Sequence, residues 1–325
     1  MQIAITGATG HLGAALVRVL AADGHQIRVQ VREDTRALRG LDLQTVRGDL
    51  LRATDLDQLM RNAEVVFHLA ARISLDGDHR GEVFRTNVLG TREVMAACKR
   101  AGVRRLIHFG SVHAFQAPSA DQVFDESCPL AGPDAYAYER SKGLALGEVL
   151  EMGRSGQLET IALCPTAVIG PWDVKPSRQG GMLHDLWRGR LPFLPRGGFN
   201  WVDSRDVGRA AAAAMTAGTS GEAYLLSGQY ATVEELALMS REIIDHPIPV
   251  RIMPDAVLNA IAPLATWWSR WRQTEPVITR EALDHLRNGH PRISHQRASA
   301  DLGFYPRPLE KTLLDTWQWF SQSSS

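Results

Sequence analysis

The segment that decides the fold is the N-terminal stretch Gln2-Ile3-Ala4-Ile5-Thr6-Gly7-Ala8-Thr9-Gly10-His11-Leu12-Gly13. A short apolar run is followed by glycines in the spacing G-x-x-G-x-x-G, and apolar residues then recur at helical spacing until Gly24. A glycine-rich turn between a strand and a helix lets backbone amides and the positive end of the helix dipole approach a phosphate closely. The segment therefore predicts a nucleotide-binding fold with a dinucleotide pyrophosphate against this turn.

Strands and helices alternate along the following sequence. The pattern predicts strands at 26–32, 43–47, 64–69, 104–109, 159–164 and 223–227, with helices near 54–62, 79–101, 134–153 and 203–217. Such alternation with right-handed crossovers produces a parallel sheet covered by helices on both faces. The predicted fold class is α/β, a doubly wound parallel Rossmann sheet with a smaller, mostly helical C-terminal substrate lobe.

The composition changes after Pro165, where glycine, proline and aromatic residues cluster before the regular pattern returns near Trp201. This change predicts a second, smaller unit. The predicted division is a nucleotide-binding domain at 1–165 to which 201–228 returns, a substrate-binding lobe made of 166–200 and 229–320, and a frayed tail at 321–325.

A tyrosine and a lysine stand four residues apart near the start of the predicted helix 134–153. Tyr136 and Tyr138 are both candidates for a reactive phenol, but only Tyr138 has a lysine, Lys142, at this spacing. Residues four apart share one face of a helix. A tyrosine pKa of about 10 must fall before the group exchanges protons near neutrality, and a fixed ammonium together with the positive ring of an oxidised nicotinamide has the right sign. The pair indicates redox chemistry.

Ser111 follows directly on the predicted buried strand 104–109 and Gly110. In an open α/β sheet, ligands bind beyond the carboxyl ends of the strands, so this serine would be presented to the site. Its hydroxyl could donate a hydrogen bond to a substrate carbonyl oxygen beside Tyr138.

These motifs together resemble the extended short-chain dehydrogenase/reductase superfamily, nearest its dihydroflavonol-reductase-like branch, beside 3β-hydroxysteroid dehydrogenase and sugar-nucleotide epimerase relatives. The resemblance covers nearly the whole chain, and the order and spacing of the motifs carry it. The motifs are TGATGHLG at 6–13, VFHLAA at 66–71, Asn87-Val88-Leu89-Gly90-Thr91, FGSVHAF at 109–115, YERSK at 138–142 and LCPTAVIGP at 163–171.

The resemblance implies a role for each motif. Tyr138 would be the general acid/base, Ser111 the group that polarises the carbonyl, and Lys142 the group that holds the nicotinamide ribose and lowers the tyrosine pKa. Asn87 would either join a proton relay or brace the sheet. The implied cofactor contacts are Gly7, Thr9, Gly10, His11 and Leu12 at the pyrophosphate, Asp49 and Leu50 at the adenine, the backbone of Leu69, Ala70 and Ala71, the catalytic Tyr138 and Lys142, and Pro165 and Val168 beside the nicotinamide.

The end of the second predicted strand favours NADP over NAD. Proteins that bind NAD place a carboxylate there for the ribose 2′-hydroxyl, whereas this chain has Arg32, with Arg36 one turn later. Arginine pairs with a 2′-phosphate. The alternative is NAD, with Glu33 or Asp34 reaching back to the ribose.

The candidate substrate residues are mostly aromatic or uncharged, which favours an apolar or ring-shaped carbonyl compound. No histidines and carboxylates stand in a spacing typical of metal ligands, so no metal is expected. The candidates are Ser74, His113, Gln116, Trp172 and Trp201, with Ile73, Phe115, Phe193 and Phe199 nearby in the sequence.

The predicted function is an NADP-dependent oxidoreductase that transfers hydride between nicotinamide and a ketone, aldehyde or secondary alcohol. A sugar-nucleotide epimerase or dehydratase with the same triad is the alternative, although such enzymes usually carry an asparagine where this chain has Pro165-Thr166. A non-catalytic NADP-sensing protein is the third reading, but such relatives typically lose the tyrosine or the lysine.

The composition of the chain indicates which classes of partner and which location to expect. The 325 residues have zero formal net charge and no long basic tract, which argues against nucleic acid. Cys98, Cys128 and Cys164 are expected to be reduced thiols, and neither a signal peptide nor a membrane span is expected, so the predicted location is cytoplasmic. The tryptophan-rich segment 253–271 would be a lid or a weak membrane-surface contact. The resemblance implies a homodimer through helices near 82–101 and 134–153.

Overall fold

The centre of the molecule is a seven-stranded parallel sheet, as predicted. The structure is a computed structural model that describes residues 1–75, 77–244, 248, 250–258 and 279–323. The strands of this sheet are β1 Gln2–Thr6, β2 Gln26–Val31, β3 Gln44–Arg47, β4 Val65–His68, β5 Arg105–Phe109, β6 Glu159–Pro165 and β9 Glu222–Leu226. They lie in the order β3-β2-β1-β4-β5-β6-β9, and every neighbouring pair is parallel.

Helices cover both faces of this sheet and also build the smaller lobe. Their bounds are α1 His11–Ala22, α2 Ala53–Met60, α3 Glu82–Phe84, α4 Gly90–Ala101, α5 Ala137–Arg154, α6 Arg178–Trp187, α7 Ser204–Ala213, α8 Val233–Ile243, α9 Arg280–Arg287, α10 Gln296–Leu302 and α11 Leu309–Ser323. The single helix predicted at 79–101 is divided, because a π-helical turn at Arg85–Leu89 separates α3 from α4.

The turn between β1 and α1 requires glycine at two positions. Gly7 has a φ of +76°, and a Cβ there would lie 2.5 Å from the Ala70 backbone nitrogen. A Cβ on Gly13 would lie 2.3 Å from the Gly7 carbonyl oxygen. Side chains at these two positions would push α1 away from the sheet, so the glycine spacing fixes how closely the helix approaches the strand ends.

The lobe contains a small three-stranded sheet in the order β10-β8-β7, in addition to the expected helices. Its strands are β7 Ala167–Ile169, β8 Gly198–Asp203 and β10 Gln229–Thr232. The predicted boundary at residue 201 therefore falls inside β8, and the chain returns to the large sheet only with α7 and β9.

The chain passes back and forth between the large sheet and the small one. After β6 the chain enters the small sheet at β7, returns with α7 and β9, and leaves again at β10. Ala298 and Leu302 of α10 join the core under the large sheet, whereas Leu309 and Leu313 of α11 pack in the core of the lobe.

Two predicted features at the C-terminal side are only partly described. Of the segment 253–271, residues 253–258 are described and the rest lies outside the described residues. The predicted frayed tail at 321–325 overlaps α11, which continues to Ser323. Within the described ranges, no helix combines the length and hydrophobicity needed to cross a membrane.

Candidate active site

The carboxyl ends of the central strands bring most of the predicted site residues to one edge of the sheet. Such an edge is where ligands bind in open α/β folds. The groups that meet there are the turn at 7–12 after β1, residues 69–71 after β4, Ser111 after β5, and Pro165 at the end of β6.

The turn at the start of α1 fits a dinucleotide pyrophosphate. Gly10 precedes the helix without a side-chain cap, and the first turn of α1 carries no acidic residue, so its amide groups are available to an anion. A Cβ on Gly10 would meet nothing closer than the Gly7 carbonyl oxygen at 3.5 Å, which leaves room for a close phosphate approach.

The side chain of His11 connects this turn to the lobe. Its Nε2 lies 3.2 Å from the Pro171 carbonyl oxygen, and its Nδ1 lies 3.9 Å from the buried carboxylate of Asp173. Asp173 in turn accepts hydrogen bonds from the backbone and the hydroxyl of Ser177, just before α6. The backbone of His11 therefore faces the predicted pyrophosphate site while its side chain holds the start of the lobe.

Ser111, Tyr138 and Lys142 lie together beside the end of β5, with exposed fractions of 8 %, 7 % and 4 %. The Lys142 ammonium donates a hydrogen bond of 2.9 Å to the Phe109 carbonyl oxygen. The Ser111 hydroxyl accepts from the His113 backbone amide at 3.2 Å, which fixes the turn after the strand. The strand and the first turns of α5 thus hold a hydroxyl, a phenol and an ammonium next to one another.

Burial moves the pKa values of the phenol and the ammonium in opposite senses. Burial raises the pKa of Tyr138 to about 12, although a hydrogen bond with Ser111 acts to lower it. Burial lowers the pKa of Lys142 to about 8, because a charged ammonium loses its hydration there. With the chain's own groups alone, Tyr138 is a neutral proton donor at neutral pH. Lowering its pKa, as predicted, would require the positive ring of an oxidised nicotinamide as well.

The side chain of Asn87, in the π-helical turn, is hydrogen-bonded to two segments next to the site. Its Oδ1 accepts from the Arg72 amide at 2.8 Å, and its Nδ2 donates to the Arg72 carbonyl oxygen at 3.0 Å and to the Ser141 hydroxyl at 2.9 Å. Ser141 donates to the Tyr138 carbonyl oxygen. Of the two predicted roles, these contacts favour the brace, since the amide ties the loop after β4 to the helix that carries Tyr138 and Lys142.

The adenosine end of the predicted cofactor site is exposed and crowded with charge. Arg36 makes two hydrogen bonds to Asp34, at 3.0 and 2.7 Å, and this contact holds the pKa of Asp34 well below its usual range. Glu33 lies 3.8 Å from the guanidinium of Arg47. Arg32 is exposed at the end of β2, and no side-chain contact ties it to the described residues. Of the two predicted NAD alternatives, Asp34 is therefore paired with an arginine, whereas the contact of Glu33 with Arg47 is long and exposed.

Asp49 and Leu50 follow β3, close to this end. Asp49 Oδ1 accepts from the Leu51 amide at 2.9 Å, and the Asp49 amide donates to Asp55, so a tight turn orients the carboxylate. Leu50 packs against Gly90 at the start of α4, where a Cβ on the glycine would lie 2.4 Å from the leucine.

The candidate substrate residues do not all gather at the triad. Ser74 is buried and donates to the Gly77 carbonyl oxygen, and Gln116 donates to the Leu130 carbonyl oxygen. Trp172 has a φ of +69°, and its ring lies 5.2 Å from the Arg18 guanidinium on the flank of α1. Trp201 is only 2 % exposed, and its indole donates to Ala231 inside the small sheet. The Trp201 indole is thus held in the small sheet, and the Trp172 ring lies beside α1.

His113 lies beside Tyr138, with ring centroids 6.3 Å apart, and it belongs to a cluster that the sequence did not indicate. His285 Nε2 lies 2.9 Å and His113 Nδ1 3.7 Å from Oε1 of Glu139, the residue after Tyr138. Although burial opposes the shift, hydrogen bonds from the two imidazoles lower the pKa of Glu139 to about 2. We refer to these three residues as the His-Glu-His cluster.

This fold and this group of motifs define an NAD(P)-dependent oxidoreductase of the extended short-chain dehydrogenase/reductase type. Residues 3–227 match the NAD dependent epimerase/dehydratase family. The chain belongs to that family.

Sequence similarity to other proteins extends over almost the whole chain. Sterol demethylase protein B of Methylococcus capsulatus is 32 % identical over 99 % of this chain and 99 % of its own length. A putative dihydroflavonol 4-reductase of Synechocystis sp. is 31 % identical over 97 % of this chain and 93 % of its own. The crystal structure of gox2253 superposes with a TM-score of 0.83 at 32 % identity, covering 99 % of this chain and 98 % of that one. The resemblance inferred from the motifs, and the predicted fold class, are confirmed.

Proposed function

We propose that this enzyme is an NADP-dependent oxidoreductase that transfers hydride between nicotinamide and a carbonyl or secondary alcohol carbon of a small, apolar or ring-shaped molecule. The observation that carries the proposal is the buried trio of Ser111, Tyr138 and Lys142 at the carboxyl end of the sheet. A neutral phenol with a serine hydroxyl beside it can protonate an oxygen on which negative charge develops.

A nicotinamide cofactor, when bound, would supply the hydride and, in its oxidised form, a positive charge. Tyr138 then gives its proton to the substrate oxygen, and Ser111 donates a hydrogen bond to the same oxygen. Lys142 lies one helical turn from Tyr138 and would hold the nicotinamide ribose. The low exposure of all three side chains excludes bulk water from the proton transfer.

Arg32 supports NADP as the cofactor. It directly follows β2, at the strand end where the ribose of a bound dinucleotide lies in such folds, and no ion pair joins it to a carboxylate among the described residues. Asp34, one of the two groups that would bind a 2′-hydroxyl, is engaged by Arg36.

The names of two of the relatives support a ring-shaped substrate. A sterol and a dihydroflavonol are both fused or linked ring systems with few charges. An epimerase or dehydratase remains the second candidate because the family includes such enzymes.

A substrate panel tests the proposal. Purified enzyme is offered ring ketones of the sterol and flavanone classes, simple aldehydes and nucleotide sugars, each with NADPH or NADH, and loss of absorbance by the reduced nicotinamide is followed. We expect turnover with a ring ketone and NADPH. Conversion of a nucleotide sugar without net change in the cofactor would instead establish the epimerase reading.

We further propose a homodimer through α3 and α5. Phe84 and Leu144 expose large apolar side chains on these helices, with 37 % and 44 % of their surface accessible. Paired burial of such side chains between two copies would stabilise a symmetric interface. Light scattering of the wild type and of Leu144→Glu tests this, since the dimer should weaken in the variant.

A further inference from the structure

We propose that the His-Glu-His cluster is a binding site for one divalent transition-metal ion of the zinc type, which fastens α9 of the lobe to the nucleotide-binding domain. His113 follows β5, Glu139 lies in the first turn of α5, and His285 lies on α9. Two imidazoles and one carboxylate form a donor set that zinc uses in sites with an open fourth position. This inference does not depend on which substrate the enzyme takes.

The spacing of the donor atoms suits such an ion. Ligand atoms at about 2.1 Å from a tetrahedral ion lie about 3.4 Å from one another. Glu139 Oε1 lies 2.9 Å from His285 Nε2 and 3.7 Å from His113 Nδ1, so the two distances fall on either side of that value. The donor atoms of all three residues lie within 4.8 Å of one another. Small rotations about the side-chain bonds are enough to surround an ion.

The carboxylate is held in the orientation that an ion needs. Glu139 Oε2 accepts from the Tyr136 amide at 3.3 Å as part of a capping box, which leaves Oε1 directed at both imidazoles. The Tyr136 ring packs edge-on against His285 with centroids 5.6 Å apart, and its hydroxyl donates to Asp284. Contacts of this kind, made to the ligands and not to the ion, orient the ligands and strengthen metal binding.

The cluster is open enough for an ion and a fourth ligand to enter. The His113 side chain is 33 % exposed and that of Glu139 22 % exposed. The ring centroids of His113 and His285 lie 4.5 Å apart, and both rings face the same carboxylate oxygen. No second group of three such side chains comes together in the part of the chain that the structure describes.

The test uses untagged enzyme carrying Cys128→Ser, which removes the one partly exposed thiol among the described cysteines. After treatment with a chelator and desalting, Zn²⁺ is titrated by calorimetry and the melting temperature is measured with and without it. We expect about one equivalent to bind and the melting temperature to rise, because an ion that binds only the folded state stabilises it. Mg²⁺ should bind far more weakly.

His113→Gln and His285→Gln should each weaken Zn²⁺ binding at least about 10-fold. The matched control is His184→Gln, because His184 also lies 3.7 Å from a carboxylate and is 25 % exposed, but has no third ligand. Should a variant fail to fold, Co²⁺ bound to the wild type should give the visible bands of a four-coordinate site. Absence of binding to the wild type, or an equal loss in His184→Gln, would overturn the proposal.

Discussion

The two ends of the predicted cofactor site differ in how they are built. At the catalytic end, Ser111, Tyr138 and Lys142 are buried, and a single backbone contact fixes the Lys142 ammonium. At the adenosine end, Arg32 and the Arg36–Asp34 pair lie in solvent. Burial shifts the pKa values of Tyr138 and Lys142 at the first end, whereas at the second end the exposed charges exchange partners at little cost.

Replacing Tyr138 should produce the largest effect, because its phenol is the proposed proton donor to the substrate oxygen. We expect Tyr138→Phe to lower turnover by about 100- to 10,000-fold while cofactor affinity is largely kept. Tyr136→Phe is the matched control, since it removes only a hydroxyl that contacts Asp284 at the surface. Steady-state kinetics on the substrate found in the panel measures both, and equal turnover in the two variants would refute the role of Tyr138.

Replacing Arg32 should produce the largest effect at the exposed end. A charge-assisted hydrogen bond to a 2′-phosphate contributes about 1.5–3 kcal/mol, which corresponds to a preference of roughly 10- to 150-fold. Arg32→Asp should remove that preference and leave NADH as good as before or better. Fluorescence titration with both reduced cofactors measures it, with Arg61→Asp, an exposed arginine directly after α2, as control. If the wild type binds NADH as tightly as NADPH, the assignment to NADP fails.

Replacing Lys142 should stabilise the fold and lower turnover at the same time. Its folded-state pKa of about 8 lies below the ordinary value of 10.5, so the folded state binds the proton less well than the unfolded state. The resulting destabilisation is fully present below pH 8 and disappears as the pH rises to 10.5. We expect Lys142→Met to raise the free energy of unfolding at pH 7 by about 1 to 3 kcal/mol while turnover falls.

Urea unfolding of the wild type and the Lys142→Met variant across this pH range is the measurement. The wild type should gain stability relative to the variant as the pH rises from 8 to 10.5. A difference that stays constant over that interval would mean that the buried ammonium carries no penalty.

Replacing Asp34 should give the smallest effect. Asp34→Asn frees the Arg36 guanidinium and removes a negative charge, so NADPH should bind about 2- to 5-fold more tightly, as expected for an exposed ion pair. Asp57→Asn is the control, because Asp57 makes a similar exposed pair with Arg100 far from the site. Cofactor titration in low and high salt measures the gain. An equal gain in both variants would show that only net charge matters.

The parts of the site that depend on local sequence were predictable. The glycine turn, the four-residue spacing of Tyr138 and Lys142 and the serine after β5 each follow from the geometry of one element. The His-Glu-His cluster was not, because His285 and Glu139 are 146 positions apart and no local spacing indicates that they meet. The contact of Trp172 with Arg18 was not predictable either, because it depends on the left-handed φ of Trp172.

The interleaving of the two parts of the chain also determines how the molecule unfolds. All eight tryptophans stand at or beyond position 172. Their fluorescence therefore reports mainly on the sequence after β7. Along the chain, β7 and β8 belong to the small sheet, β9 to the large sheet and β10 to the small sheet again. We therefore expect the two sheets to unfold together. We expect tryptophan fluorescence and far-ultraviolet circular dichroism to give coincident denaturation curves, the mark of a single cooperative unit. Two separated transitions would mean that the lobe melts alone.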